Sequence, residues 1–216
     1  PGAEGMLFGL FSQLVHFSPA FNLKLFHGAV SLLSALMLGL FIYWVVIELG
    51  WISGFLTLLF IASSEWMTLF GGNIFWNLWA FYLPLVVVSF YLMNTSISKN
   101  YRQLTISILV AMAIFVKCLF NGFEYFTTAL LMPLIPFIFY AIRDSWGLSL
   151  LFNRLFKSSI GLIVGMLAGL LVLVWQIVQV TNSSEEAGIT LLNTIGRRTF
   201  GDASIYTVEA ASLNAK

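Results

Sequence analysis

Charge is what this chain has least of. Only 9% of its 216 residues are charged, and 10 Lys and Arg against 9 Asp and Glu leave a net charge of +1. A soluble domain carries about 25% charged residues, so a chain that is 60% hydrophobic could not clothe a water-facing surface. It also lacks the clustered basic footprint that nucleic acid requires, so no nucleic-acid partner is expected. A single cysteine, Cys118, excludes an intrachain disulfide and a thiolate metal cluster. The two histidines, His16 and His27, have no partner at metal-ligand spacing. No Gly-rich phosphate loop, nucleophile elbow or zinc motif occurs, so neither metal nor cofactor is expected.

What the chain does have is long apolar runs joined by short loops that hold nearly all of the charge. A helix needs about 20 apolar residues to cross the hydrocarbon core. Phe26 to Ile47 meets that length. Trp51 to Ala62 is shorter and, with Ser63 and Ser64, would cross only as a tilted or partly re-entrant helix. Ile74 to Met93 follows, with a kink expected at Pro84, then Leu104 to Phe120. Tyr125 to Ile142 should bend at Pro133 and Pro136, and Ile160 to Val180 is the most uniformly apolar run. The expected fold is all-α: a polytopic transmembrane bundle of five or six spans, with the lipid bilayer as its solvent. Met6 to Val15 is too short to span and reads as an interfacial helix.

Lys and Arg mark the loops that stay in the cytoplasm. Lys99 and Arg102 follow the third run, and Arg143, Arg154 and Lys157 follow the fifth. These loops should share the cytoplasmic side, which puts residues 1–22, the loop at Glu65, the turn from Lys117 to Glu124 and residues 181–216 outside. Residues 23–180 form the bundle itself. If the second run did not cross, the N-terminal segment would move to the cytoplasm. Gly147 to Phe156 reads either as an amphipathic helix, with Trp146, Leu150, Leu151 and Leu155 against lipid and Arg154 and Lys157 at lipid phosphates, or equally as a connecting helix packed on the bundle. Glu48, at the end of the first run, would snorkel to the interface. The sequence begins at Pro1 on an apolar run and reads as a piece of a longer protein.

Few residues carry chemistry. Lys117 and Glu124 flank the turn Cys118-Leu119-Phe120-Asn121-Gly122-Phe123 at a membrane boundary, where ionisable groups are costly and therefore candidates for function. The lysine suits a lipid-linked phosphate and the carboxylate a sugar hydroxyl or a proton; snorkelling or a local ion pair would account for them equally. Glu65 and Asn73 stand in an aromatic-rich loop, and Asn73 would cap a helix or bind a ligand. Arg197 and Arg198 offer bidentate contacts to a phosphate. Gly161, Gly165 and Gly169 lie four apart, a spacing that lets a neighbouring helix approach closely.

Two stretches carry a family likeness. Phe70-Gly71-Gly72-Asn73-Ile74-Phe75-Trp76, with the Pro84 that follows, and Phe115-Val116-Lys117-Cys118-Leu119-Phe120-Asn121-Gly122-Phe123-Glu124-Tyr125 resemble segments of poorly characterised bacterial multi-pass proteins. Those are related to the GT-C glycosyltransferases, which use dolichyl- or polyprenyl-phosphate sugars. The resemblance covers about Gly9 to Gly201 as a pattern of spans and loops, without one diagnostic motif. It implies transfer of a sugar from a polyprenyl-phosphate carrier on the outer face of a bacterial inner membrane. It also implies a catalytic acid in the loop after the first span of such enzymes. Glu4 is the only acid in the first 22 residues here, so the catalytic residue stays unassigned and would lie upstream of Pro1. The resemblance then leaves Lys117 and Glu124 as second-tier substrate-binding candidates, with Arg197 and Arg198 placed to bind the carrier phosphate and Glu65 and Asn73 completing the candidate set. A transporter or flippase-like bundle, or a non-catalytic membrane subunit, is the alternative reading.

Overall fold

A computed structural model describes residues 3–14, 17–74, 76–98, 101–123, 125–183, 185, 188 and 189. Every regular element among them is helical. The chain divides into two compact units, Pro1–Gly169 and Leu170–Lys216, and the described part of the second is chiefly the end of one helix.

The elements run α1 (Ala3–Leu14), α2 (Pro19–Leu49), α3 (Trp51–Ser63), α4 (Glu65–Gly71), α5 (Leu78–Ser98) and α6 (Gln103–Asn121). They continue with α7 (Phe126–Leu131), a 3₁₀ turn at Met132–Leu134, α8 (Ile135–Arg143) and α9 (Leu148–Thr181). Four of these, α2, α5, α6 and α9, are long and apolar enough to cross a membrane. The pair α3 and α4, bent by 73°, makes up to five.

Backbone chemistry sets the breaks. The α2 helix starts earlier than its apolar run because Ser18 caps it, its Oγ accepting from the Phe21 N–H at 3.4 Å, and Pro19 fits the first turn. It stops at Gly50, whose φ of 85° is open to glycine and strained for other residues. Ser64 ends α3 and caps α4. The expected fifth span is not one helix: Pro133 and Pro136 each lack an N–H, and the segment passes from α7 through a 3₁₀ turn into α8. By contrast α5 runs through Pro84 as one helix.

The expected amphipathic helix at Gly147 to Phe156 is corrected at Arg154. It is the first third of the 34-residue α9, and while Lys157 is exposed, Arg154 turns inward. Arg154 lies over the Tyr101 ring at 4.0 Å and the Trp146 ring at 3.9 Å, while Trp146, Leu151 and Leu155 pack on the core. Two aromatic faces hold the guanidinium away from lipid phosphates. Burial pushes the Tyr101 phenol up to about 12 despite the opposing pull of Arg154.

The main core joins α2, α5, α6, α8 and α9 through Trp44, Val88, Ile106, Ile114, Phe137 and Leu162. Long-range contacts sort the helix ends into two levels. At one, the His27 ring Nδ1 meets Gly72 O at 2.8 Å, and Asn77 pairs with Asn121. At the other, Glu48 pairs with Arg143. His27 and Glu48 lie on one helix, roughly 30 Å apart by its rise, which is close to the thickness of the hydrocarbon core. The chain from Gly50 to Gly72 therefore returns to the level of His27, by way of the bent pair.

Candidate functional site

The His27 level holds the densest polar cluster in a region that should otherwise be apolar. Lys117, one turn before the end of α6, is 1% exposed, and Asn77 and Asn121 are also buried. Lys117 Nζ donates to Gly122 O at 2.9 Å. Gly122 makes that possible: its φ of 58° with ψ of −146° is a combination essentially confined to glycine, and it folds the chain back beneath the lysine. Asn121 lies one helical turn from Lys117, on the same face. Its Oδ1 accepts from the Asn77 N–H at 2.8 Å and its Nδ2 donates to Asn77 O at 2.9 Å. The side chain of one helix end thus satisfies both backbone groups of Asn77, just ahead of α5. The Asn77 amide is engaged in turn, Oδ1 accepting from Trp79 Nε1 at 3.0 Å.

Beside this floor stands a nest of rings drawn from three segments. Trp66 and Phe70 come from α4, with ring centroids 4.3 Å apart. Trp76 precedes α5 and meets Trp66 at 6.4 Å, Phe70 at 4.8 Å and Phe81 at 5.2 Å. Tyr125, in the left-handed region at φ 48°, reaches Trp66 at 6.2 Å and Trp76 at 5.6 Å. Trp76 and Phe81 are buried, whereas Trp66 and Tyr125 are each about half exposed.

The opposite level carries a second polar group that sequence reading placed wrongly. Glu48 does not snorkel: its side chain is 5% exposed, pairs with Arg143 and accepts from Tyr140 Oη at 2.7 Å. Tyr140 Oη accepts in turn from Trp44 Nε1 at 3.2 Å, and Arg143 Nε donates to Asp144 at 2.7 Å. A carboxylate with partners on a distant helix stays inside the bundle; one without them would leave it.

Of the residues expected to bind substrate, Lys117 lies in the floor of the cluster. Asn73 is beside the ring nest, its Oδ1 accepting from the Trp76 N–H at 3.1 Å, which is capping geometry. Glu65 is exposed in the first turn of α4. Glu124, Arg197 and Arg198 lie outside the described residues. Gly161, Gly165 and Gly169 are buried and face α6, where a Cβ would fall on Ser107 O, on Ala111 O and on Cys118. The Ser107 hydroxyl, 3.0 Å from Lys157 O, ties the same two helices. Sequence reading missed the Asn77–Asn121 pair, whose only local signal is two asparagines beside apolar runs. Comparison of the chain with protein-family models, curated proteins and solved structures finds no match.

Proposed function

We infer that this chain is the membrane-embedded part of a GT-C-type glycosyltransferase of a bacterial inner membrane, moving a sugar from a polyprenyl-phosphate carrier on the outer face. One observation carries the reading. The two stretches that bear the family likeness, separated by some forty residues, meet at one level of the bundle where Trp76 packs on Tyr125 and the next residue, Asn77, pairs with Asn121, with Lys117 one turn below. A protein keeps a buried ammonium in an apolar region where it has anionic work to do, and a phosphate diester is such a partner. In this reading Lys117 takes the carrier phosphate, Arg197 and Arg198 add bidentate contacts to it, and Glu124 orients a sugar hydroxyl. The catalytic acid is not assigned.

The test is sugar transfer from a radiolabelled polyprenyl-phosphate hexose by membranes holding the full-length protein. Lys117→Ala should lower transfer by at least about tenfold, the worth of one charge-assisted contact, with the protein still folded. Undiminished transfer would remove Lys117 from the site, and no transfer by the wild type with any hexose carrier would end the enzyme reading. One observation favours a non-catalytic bundle instead: Lys117 Nζ already donates to Gly122 O, so the lysine can serve as a turn fastener. In that case Lys117→Ala would lower thermal stability and folded yield in a protein that transfers nothing.

A further inference from the structure

The ring nest does more than line a membrane boundary. Tryptophans of an interfacial belt lie singly at the headgroups with the indole N–H toward water or lipid polar groups. Trp76 does the reverse. It is 7% exposed, and its Nε1 is sealed from solvent with no hydrogen-bond partner among the described residues. A buried N–H left unmade is costly, so the position calls for an acceptor that the protein's described groups do not supply. Above it, Trp66 and Tyr125 leave about half of their surface open. Both meet Trp76 in T-shaped contacts, with planes at 86° and 81°, so they are among the rings that seal the indole. Phe70 packs on Trp66 with ring centroids 4.3 Å apart.

Two half-exposed aromatic rings set at 83° to each other beside a sealed N–H donor suit a ligand with an apolar face and oxygen acceptors at its rim. A pyranose has that shape: its axial C–H groups lie on aromatic rings while hydroxyl oxygens accept hydrogen bonds. A quaternary ammonium would use the rings but leave the N–H unmet, and a bare acyl chain would do the same. We propose that Trp66, Trp76 and Tyr125 form a hexose-binding site, in which the sugar displaces a ring that seals the indole, stacks on Trp66 with Tyr125 standing across it at 83° as the rim of the site, and offers a hydroxyl oxygen to Trp76 Nε1. The choice of a sugar rests on the transferase reading above. The ring could belong to the lipid-linked donor or to a glycan acceptor.

Saturation-transfer NMR on the full-length protein in phosphatidylcholine nanodiscs tests the site without any transfer reaction. The probes are methyl α-D-mannopyranoside, methyl β-D-glucopyranoside and farnesyl-phosphate mannose. At least one should receive saturation from aromatic protons. Trp66→Ala and Tyr125→Ala should each weaken its binding by roughly tenfold, while Trp66→Phe, which keeps a ring, should stay within about threefold of wild type. Binding of a free methyl hexoside marks an acceptor glycan; binding of the farnesyl-linked sugar alone marks the donor. No saturation transfer to any probe, or undiminished affinity in both alanine variants, would overturn the proposal. Sugar binding lost with Trp66 in a protein that transfers nothing would keep the site and sink the transferase. Transfer with an unchanged sugar KM in both alanine variants would do the opposite.

Discussion

At the scale of single residues, two sets of buried polar groups hold one another across distant helices, and each pairing has a measurable worth. Asn121 satisfies two backbone groups of Asn77. Asn121→Leu should therefore lower stability by about 1–3 kcal/mol, the cost of taking the partner from a buried N–H, since Asn77 O keeps the Phe81 N–H. Asn121→Asp, which keeps the acceptor and loses the donor, should fall between the two, as read by thermal unfolding in detergent. An Asn121→Leu midpoint equal to wild type would show the pair to be incidental. The Glu48–Arg143 pair invites a double-mutant cycle. Arg143→Leu strands a carboxylate whose side chain is 5% exposed and should cost about 2–3 kcal/mol. That is less than the 3–5 kcal/mol of fully buried pairs, because Arg143 itself is partly solvated. Adding Glu48→Gln should restore most of the loss; additive losses would mean that the two residues are not coupled.

At the scale of elements, the α6–α9 contact depends on glycine. A Cβ at Gly165 would strike the backbone carbonyl of Ala111, and a carbonyl cannot rotate away as a side-chain tip can. Gly165→Ala should thus lower the unfolding midpoint and folded yield, and Gly165→Leu more so. Gly39 of α2 is the control: nothing stands within 4 Å of its would-be Cβ, so Gly39→Ala should be neutral or stabilise by about 0.4–1 kcal/mol. Equal effects at the two sites would deny the close approach. The long helices were legible because twenty apolar residues in a row have few other uses. The glycine face of α9 was legible too, but the orientation of its first turns was not. In lipid, core-facing and lipid-facing surfaces are both apolar, so the position of Arg154 depends on Tyr101 and Trp146, the first of them some fifty residues away. The same distance hid Asn77 from Asn121, and Glu48 from Tyr140 and Arg143. Lys117 stood out alone, because a charge inside an apolar run needs no partner to be noticed.

At the scale of the whole chain, sidedness follows from the loops. Arg143 lies at the Glu48 level, and Tyr101, Trp146 and Arg154 are joined by ring contacts beside it. The excess of basic residues predicts that this level faces the cytoplasm. With Cys118 replaced by alanine, a cysteine at Ser145 should react with an impermeant maleimide only after cells are opened, and one at Thr68 in intact cells. The reverse pattern would invert the protein in the membrane.

The bend between α3 and α4 has a bearing on the surrounding lipid. With 13 residues, α3 is only about 20 Å long, some 10 Å less than a typical hydrocarbon core. Its exposed surface is nonetheless greasy, from Trp51 and Ile52 through Leu59 to Phe60, and at its end Ser64 and Glu65 start a helix turned by 73°. Acyl chains beside α3 must shorten or splay to keep those polar groups out of oil, whereas chains beside α2 need not. Such a one-sided dimple stores elastic strain in the lipid and grows costlier as the tails lengthen. The protein should accordingly be sorted toward thinner membranes.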